Sequence, residues 1–194
     1  MANGRVITGF SKPYFALYAN SGSTVTYSEP TIMARGVSVS LAPESSEDNN
    51  FYADNVVAET LNGVFTGGTA TFTVDSPLPA AMKTMRGLPT ATEDGWTADG
   101  EGNNAPYLGV GYIVRYKSDG VDSYVPTVLA KVKLNVPEES ANTQEDEIDW
   151  QTMDLVFQLM RDDTANKNWR FIGNSFSTEA EAEAALRTKL GATP

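Results

Sequence analysis

The chain has 194 residues, 14 Lys and Arg against 25 Asp and Glu, and neither Cys nor His. Without Cys or His there is no His–Cys zinc site, no Ser-His-Asp or Cys-His catalytic pair, no disulfide and no thiol redox chemistry; only oxygen-ligand metals and carboxylate, Lys or Tyr chemistry stay open. The net charge of −11 argues against tight binding to a nucleic-acid backbone, and 41% apolar with 20% charged residues is the composition of one globular domain, or one domain with an appendage.

The opening Met1-Ala-Asn-Gly-Arg-Val-Ile is too polar for a signal peptide, and no apolar run reaches membrane-spanning length. The expectation is a chain made and folded in a cytoplasm, with no membrane partner.

Taken in chain order, the elements read mostly as β. Lys12-Pro-Tyr-Phe-Ala-Leu-Tyr-Ala, the turn cluster Asn20-Ser-Gly-Ser and Thr24-Val-Thr-Tyr predict a hairpin. Val37-Ser-Val-Ser-Leu alternates with period two, which puts Val37, Val39 and Leu41 on one face and Ser38 and Ser40 on the other. Val56 to Thr60 and Thr69 to Val74, joined through Asn62-Gly63, predict a second hairpin, because Asn-Gly favours the positive-φ turn that hairpins need. A third joins 107–117 to 124–136 across Asp119-Gly120. Trp150 to Met160 alternates Met153, Leu155, Phe157 and Leu159 against Thr152, Asp154 and Gln158, and 168–173 reads as a last short strand.

Helix is scarce. Proline at its start and Gly87 at its end bracket a short helix near 77–86. A second, near 178–190, has Thr178 and Glu181 at capping-box spacing, Arg187 and Lys189 in its last turn and Gly191 as its stop. Its stripe of Ala182, Ala185, Leu186 and Leu190 is suited to packing on a sheet or a neighbouring chain.

The predicted fold is mainly β, an antiparallel β-sandwich or barrel over 1–175 followed by the helix and tail of 176–194. Three long polar connections interrupt it, at 43–55, 89–106 and 137–149, lengths that in a compact domain usually carry function. Charge is segregated as well. Gly36 to Met82 has no Lys or Arg but carries Glu44, Glu47, Asp48, Asp54, Glu59 and Asp75, and Leu134 to Met160 repeats the pattern with seven acids. Such separation fits complementary surfaces that guide association, and equally, in a lone monomer, a solvated acidic face that keeps the chain in solution.

Tests for chemistry return little. Neither Asp99-Gly-Glu-Gly-Asn-Asn nor Gln144-Glu-Asp-Glu-Ile-Asp meets the EF-hand spacing. Gly67-Gly68 and Gly109-Val-Gly111 lack the Lys-Ser/Thr ending of a phosphate loop and read as bulges or close backbone approach. Nothing sets two carboxylates across a cleft as a glycosidase needs. Tyr14, Tyr18, Tyr107, Tyr112 and Tyr116 are compatible with a sugar-binding face, although half of them are expected in the core. The expectation is a non-enzyme without cofactor or metal.

The opening Asn3-Gly-Arg-Val-Ile-Thr-Gly-Phe-Ser-Lys-Pro-Tyr and the block Ala34-Arg-Gly-Val-Ser-Val-Ser-Leu-Ala-Pro-Glu, continued by Asp48-Asn-Asn-Phe-Tyr-Ala-Asp-Asn-Val-Val-Ala-Glu, resemble the major tail (tail tube) proteins of long, non-contractile-tailed bacteriophages of Gram-positive hosts. The similarity is densest over 3–75 and thinner to about 175. It implies a β-sandwich with a flanking helix, six copies to a ring, and rings stacked into a hollow tube through which the genome passes without specific binding. It implies a virion-tail location after assembly in the host cytoplasm, with the tape measure, tail terminator and distal tail or baseplate proteins as further partners. It also makes 43–55 a loop that reaches a neighbouring subunit or ring, bringing Glu44, Glu47, Asp48, Asn49, Asn50, Phe51, Tyr52 and Asp54 to that contact.

Six subunits at −11 give a ring charge of −66, so local complementary contacts are required, and Arg5, Lys12 and Arg35 are the expected basic partners. Ser38, Ser40, Thr69, Thr71, Thr73, Lys131, Lys133, Thr152, Asp154 and Gln158 are the candidates for a lumen-facing wall. The 43–55 loop is expected to be mobile until a partner covers it. The rival readings are a carbohydrate-binding β-sandwich of a tail fibre or cell surface and a carboxylate-dependent hydrolase.

Overall fold

The structure is a computed structural model, and it describes residues 4–89, 91, 94–143 and 150–192. The chain is mainly β and antiparallel. Its strands are β1 (Val6–Ser21), β2 (Thr24–Tyr27), β3 (Thr31–Ile32), β4 (Gly36–Ser45), β5 (Asn49–Ala53), β6 (Val56–Leu61), β7 (Phe65–Val74), β8 (Tyr107–Ser118), β9 (Val121–Leu134), β10 (Met153–Met160) and β11 (Arg170–Ile172), with helices α1 (Pro79–Arg86) and α2 (Glu179–Lys189). Nine strands form one sheet in the order β2-β1-β8-β9-β10-β7-β4, with β3 on β1 and β11 on β9; β5 and β6 pair only with each other.

The sheet curls until β4 lies beside β1 without pairing to it, giving an incompletely closed barrel. At that seam Phe10 lies so close to Gly36 that any side chain there would strike its ring.

Alternation places the core. Ala70, Phe72 and Val74 of β7, Leu155, Phe157 and Leu159 of β10, Val132 and Leu134 of β9 and Leu108 and Val110 of β8 are buried together. Phe72 meets Phe157 and Tyr112 edge-on at centroid distances of 5.6 and 5.5 Å, an arrangement that suits the ring quadrupoles. Helix α1 feeds Ala81 and Met85 into this core, and ends where Gly87 adopts φ 64° and returns its N–H to the last turn.

Helix α2 lies on the outside of β8 and β9. Thr178 and Glu181 form the reciprocal capping box that their spacing predicts. Ala182, Leu186 and Leu190 pack with Ala16, Ile113 and Val128 in a second cluster. Gly111 makes this seating possible: a Cβ there would lie 2.7 Å from Leu186 Cδ1 and 2.8 Å from Leu190 Cδ1.

The third predicted hairpin forms as β8–β9, with Asp119 and Gly120 both at positive φ in the turn. The second does not form as expected. Val56–Leu61 pairs with Asn49–Ala53, and β7 pairs with β4. The turn belongs to Asp54 (φ 51°) and Asn55 (φ 65°), the double positive-φ geometry of a two-residue hairpin. Gly63 instead sits within the ribbon, where its N–H donates to Asp48 Oδ1 at 2.7 Å and Ser46 N donates to the Val64 carbonyl at 2.9 Å. The expected 43–55 loop is therefore strand for most of its length: β4 runs through Ser45 and β5 begins at Asn49. The predicted first strand is likewise only part of β1, which runs 16 residues by absorbing irregularities around Thr8 and Lys12-Pro13, with Lys12 at φ 55°.

Candidate functional site: an exposed hairpin arm and a polar sheet face

The β5–β6 hairpin continues the β4–β7 ribbon beyond the barrel. Its pairing puts Tyr52 opposite Val57 on one side and Phe51 opposite Glu59, with Ala53 opposite Val56, on the other. Apolar side chains therefore occupy both faces, and neither face is covered: Phe51 is 64% exposed, Tyr52 63%, Val56 62% and Leu61 71%. A two-stranded hairpin has no core of its own and is marginal in water, so this much uncovered apolar surface makes the arm the candidate interaction element. Glu44, Glu47, Asp48, Asn49, Asn50 and Asp54 are exposed on the same arm, and Asn50 Oδ1 accepts from Thr60 Oγ1 at 2.7 Å across it. From Glu44 to Phe65 the arm holds five acids and no base.

Of the three basic residues expected to meet such acids, two are already engaged within the chain. Lys12 Nζ lies 3.2 Å from Glu183, and Arg35 Nε 2.5 Å from Asp75. Burial works to raise the Asp75 carboxyl, but hydrogen bonds from Ser76 and Arg35 outweigh it and hold the group below the usual range. Arg5 makes no such ion pair with a described residue and stacks 4.1 Å above the Tyr116 ring.

The ladder register brings most of the candidate lumen residues onto one surface. Ser38, Thr73 and Asp154 stand opposite one another across β4, β7 and β10, as do Ser40 and Thr71; Thr69, Gln158 and Lys133 continue the row onto β9. Directly opposed residues share a face, and this face is the reverse of the one carrying Phe72, Leu155 and Phe157. Thr73 Oγ1 donates to Asp154 Oδ1 at 2.7 Å.

Two candidates differ. Thr152 lies outside β10, just before its start. Lys131 shares the face but its side chain is only 14% exposed: Nζ is 2.7 Å from Asp163 and sits above the rings of Tyr18 and Tyr107. Its hydrogen bond, with one from Tyr18, keeps the Asp163 carboxyl below its ordinary value. A β-bulge where β8 meets β9 puts Lys131 there. Val128 faces α2 and Leu129 the core, so without the irregularity between Leu108 and Val110 the next odd residue would point inward.

A groove that the sequence did not reveal runs along the seam between β1 and β4. Its cavity of about 570 Å³ has Phe10, Val39, Tyr112 and Val114 within it and Arg5 and Arg170 on its walls, with no carboxylate among its lining residues. Ile7, Val37 and Ile172 are more than half exposed along it. No local signal predicts this groove, because it arises where strands distant in sequence fail to pair.

Of the tyrosines considered for a sugar face, Tyr18 and Tyr112 are buried, Tyr14 donates to Glu183, and Tyr107 and Tyr116 lie beneath cations. Among the described residues no three carboxylates gather as a metal site requires, and no helix is long and apolar enough to cross a membrane. The acidic run at 144–149 lies outside the described residues. No protein-family model matches the chain, and no curated protein is significantly similar to it.

Proposed function

We propose that this chain is a structural subunit that assembles with copies of itself into a hollow tube, the major tail tube protein of a long-tailed phage or phage-derived particle. Rings, hexameric by resemblance, stack into the conduit for genome delivery in the virion tail, with the tape measure protein inside and terminator and distal tail proteins at the ends. The observation that carries the reading is the uncovered β5–β6 arm, with large apolar side chains on both faces that no described residue of its own chain buries. An isolated monomer would carry this surface as an aggregation hazard; a subunit of an assembly buries it.

The polar face of β4, β7, β10 and β9 supports the same reading. Serine, threonine and glutamine dominate it, and its lysines are occupied: Lys131 by Asp163, and Lys133 by Asn104 Oδ1 at 3.2 Å with Tyr107 nearby. A wall of this kind offers DNA no run of free cations to grip, unlike the basic grooves of DNA-binding proteins, and so lets it slide.

Purified protein viewed by negative-stain electron microscopy over a range of concentrations is expected to contain rings or tubes with a central channel. A species that stays monomeric at every concentration and ionic strength would overturn the proposal. A monomer that also retains saccharides on a glycan array would favour the carbohydrate-binding alternative.

A further inference from the structure

We infer that the seam groove between β1 and β4 is the receptor for the β5–β6 hairpin of a second copy, so that subunits join head to tail. This inference rests on the self-assembly reading and names its contact. Three features of the molecule carry it.

The first is chemical fit. The arm is apolar just behind its Asp54-Asn55 turn and acidic along its length, with Phe51, Tyr52, Val56 and Val57 exposed among five carboxylates. The groove is apolar along its floor and basic on its walls, with Arg5 and Arg170 and no acid. Neither arginine forms an ion pair with a described residue; both lie over aromatic rings, Arg5 on Tyr116 at 4.1 Å and Arg170 on Trp169 at 4.6 Å. Stacked guanidiniums keep their donor edges available for carboxylates. A like-charged pair of surfaces would repel; these two attract and set the register of approach.

The second is size. About 570 Å³ falls within the ~300–1,000 Å³ of clefts that enclose a compact ligand, which suits the tip of a two-stranded hairpin bearing a few large side chains.

The third is position. Val37 and Val39, at the start of β4, line the groove, whereas the arm leaves from Ser45 at the other end of the same strand. At ~3.3 Å per residue these points are roughly 20–25 Å apart, and the hairpin runs on from there. A chain is thus poorly placed to fill its own groove. Donor and acceptor on different surfaces make a heterologous contact, the type that closes into rings or repeats without end along a filament.

The absence of cysteine from the chain makes the test clean. Val57→Cys and Val37→Cys are prepared as separate proteins, mixed, assembled and oxidised; a disulfide needs Cα atoms within ~7 Å. Disulfide-linked dimers between the two variants are expected in assembled material, and more of them than when Val57→Cys is mixed with a Val136→Cys control on an exposed site remote in sequence. Assemblies that form normally but link no better than the control overturn the groove as receptor and leave the self-assembly reading standing. Wild-type protein that never assembles overturns both.

A second variant guards against cysteine chains that fail to assemble. Arg5→Glu combined with Arg170→Gln, checked for an unchanged circular dichroism spectrum, is expected to raise the concentration needed for assembly by about tenfold. It is also expected to flatten the dependence of assembly on salt. An unchanged threshold counts against the inference.

Discussion

Two tyrosines tie a helix and a loop to the barrel, and together with a third buried in the core they give the protein a limit at high pH. Burial pushes the Tyr14, Tyr18 and Tyr112 hydroxyls up to about 12 from an ordinary value of 10.0. Tyr14 and Tyr18 also donate to the Glu183 and Asp163 carboxylates, at 2.5 and 2.8 Å, and a phenolate there would face a like charge. A group whose folded pKa lies above its unfolded one gives stability that is whole below the unfolded value and lost as pH climbs toward the folded one. Unfolding free energy is therefore expected to fall across pH 10 to 12, with tyrosinate absorbance delayed in the native protein. Denaturant titrations at stepped pH check this; tyrosines that all titrate near 10 in the folded state would contradict it. The carboxylate partners act in the opposite direction. Burial tends to raise Glu183, but hydrogen bonds from Tyr14 and Lys12 hold it low, so its contribution disappears as pH drops through the acid range.

At the scale of elements, the two helices and the arm differ in how they are held. Helix α2 has its own capping box and a docking face, and its seat depends on the small residues beneath it. Leu186→Ala removes a fully buried side chain from the α2–β8–β9 cluster and is expected to cost about 2–5 kcal/mol; Thr178→Ala, which loses only the cap, about 0.5–2 kcal/mol. Denaturant midpoints of the two variants should preserve that order, and a larger loss for the cap would mean that packing is not what holds α2. The arm has no such seat. The residues from Thr178 to Gly191 announced their helix because capping, periodicity and stop are all local. Local sequence points the arm to the wrong partner because Asn62-Gly63 is as good a turn former as Asp54-Asn55, and only the pairing of β4 with β7 decides between them.

For the molecule as a whole, charge is the property that the proposed assembly would have to manage. The arm carries Glu44, Glu47 and Asp48 on exposed positions, and neutralising all three is expected to weaken ring stacking, with the effect shrinking as salt rises because exposed charges are screened beyond ~8–10 Å. Tube lengths in electron micrographs, compared with wild type at low and high salt, check this; equal lengths at both would remove the arm's charge from the account. On the same proposal, polymerisation is expected to hide Phe51 and Tyr52 from solvent, turning a hazard of the lone subunit into a joining surface.

The sequence by itself determined the fold class, both helices, the β8–β9 hairpin and the division of polar from apolar strand faces. All of these follow from periodicity, caps and turn residues within a few positions of one another. Only the tertiary structure decided which strands neighbour which, that Lys12, Arg35 and Lys131 are held by carboxylates of their own chain, that the expected 43–55 loop is mostly strand, and that a basic-walled groove opens between β1 and β4. Those outcomes depend on which distant segments meet when the sheet curls. Local propensity is blind to that choice, because burial and strand pairing are properties of the closed sheet and not of any segment in it.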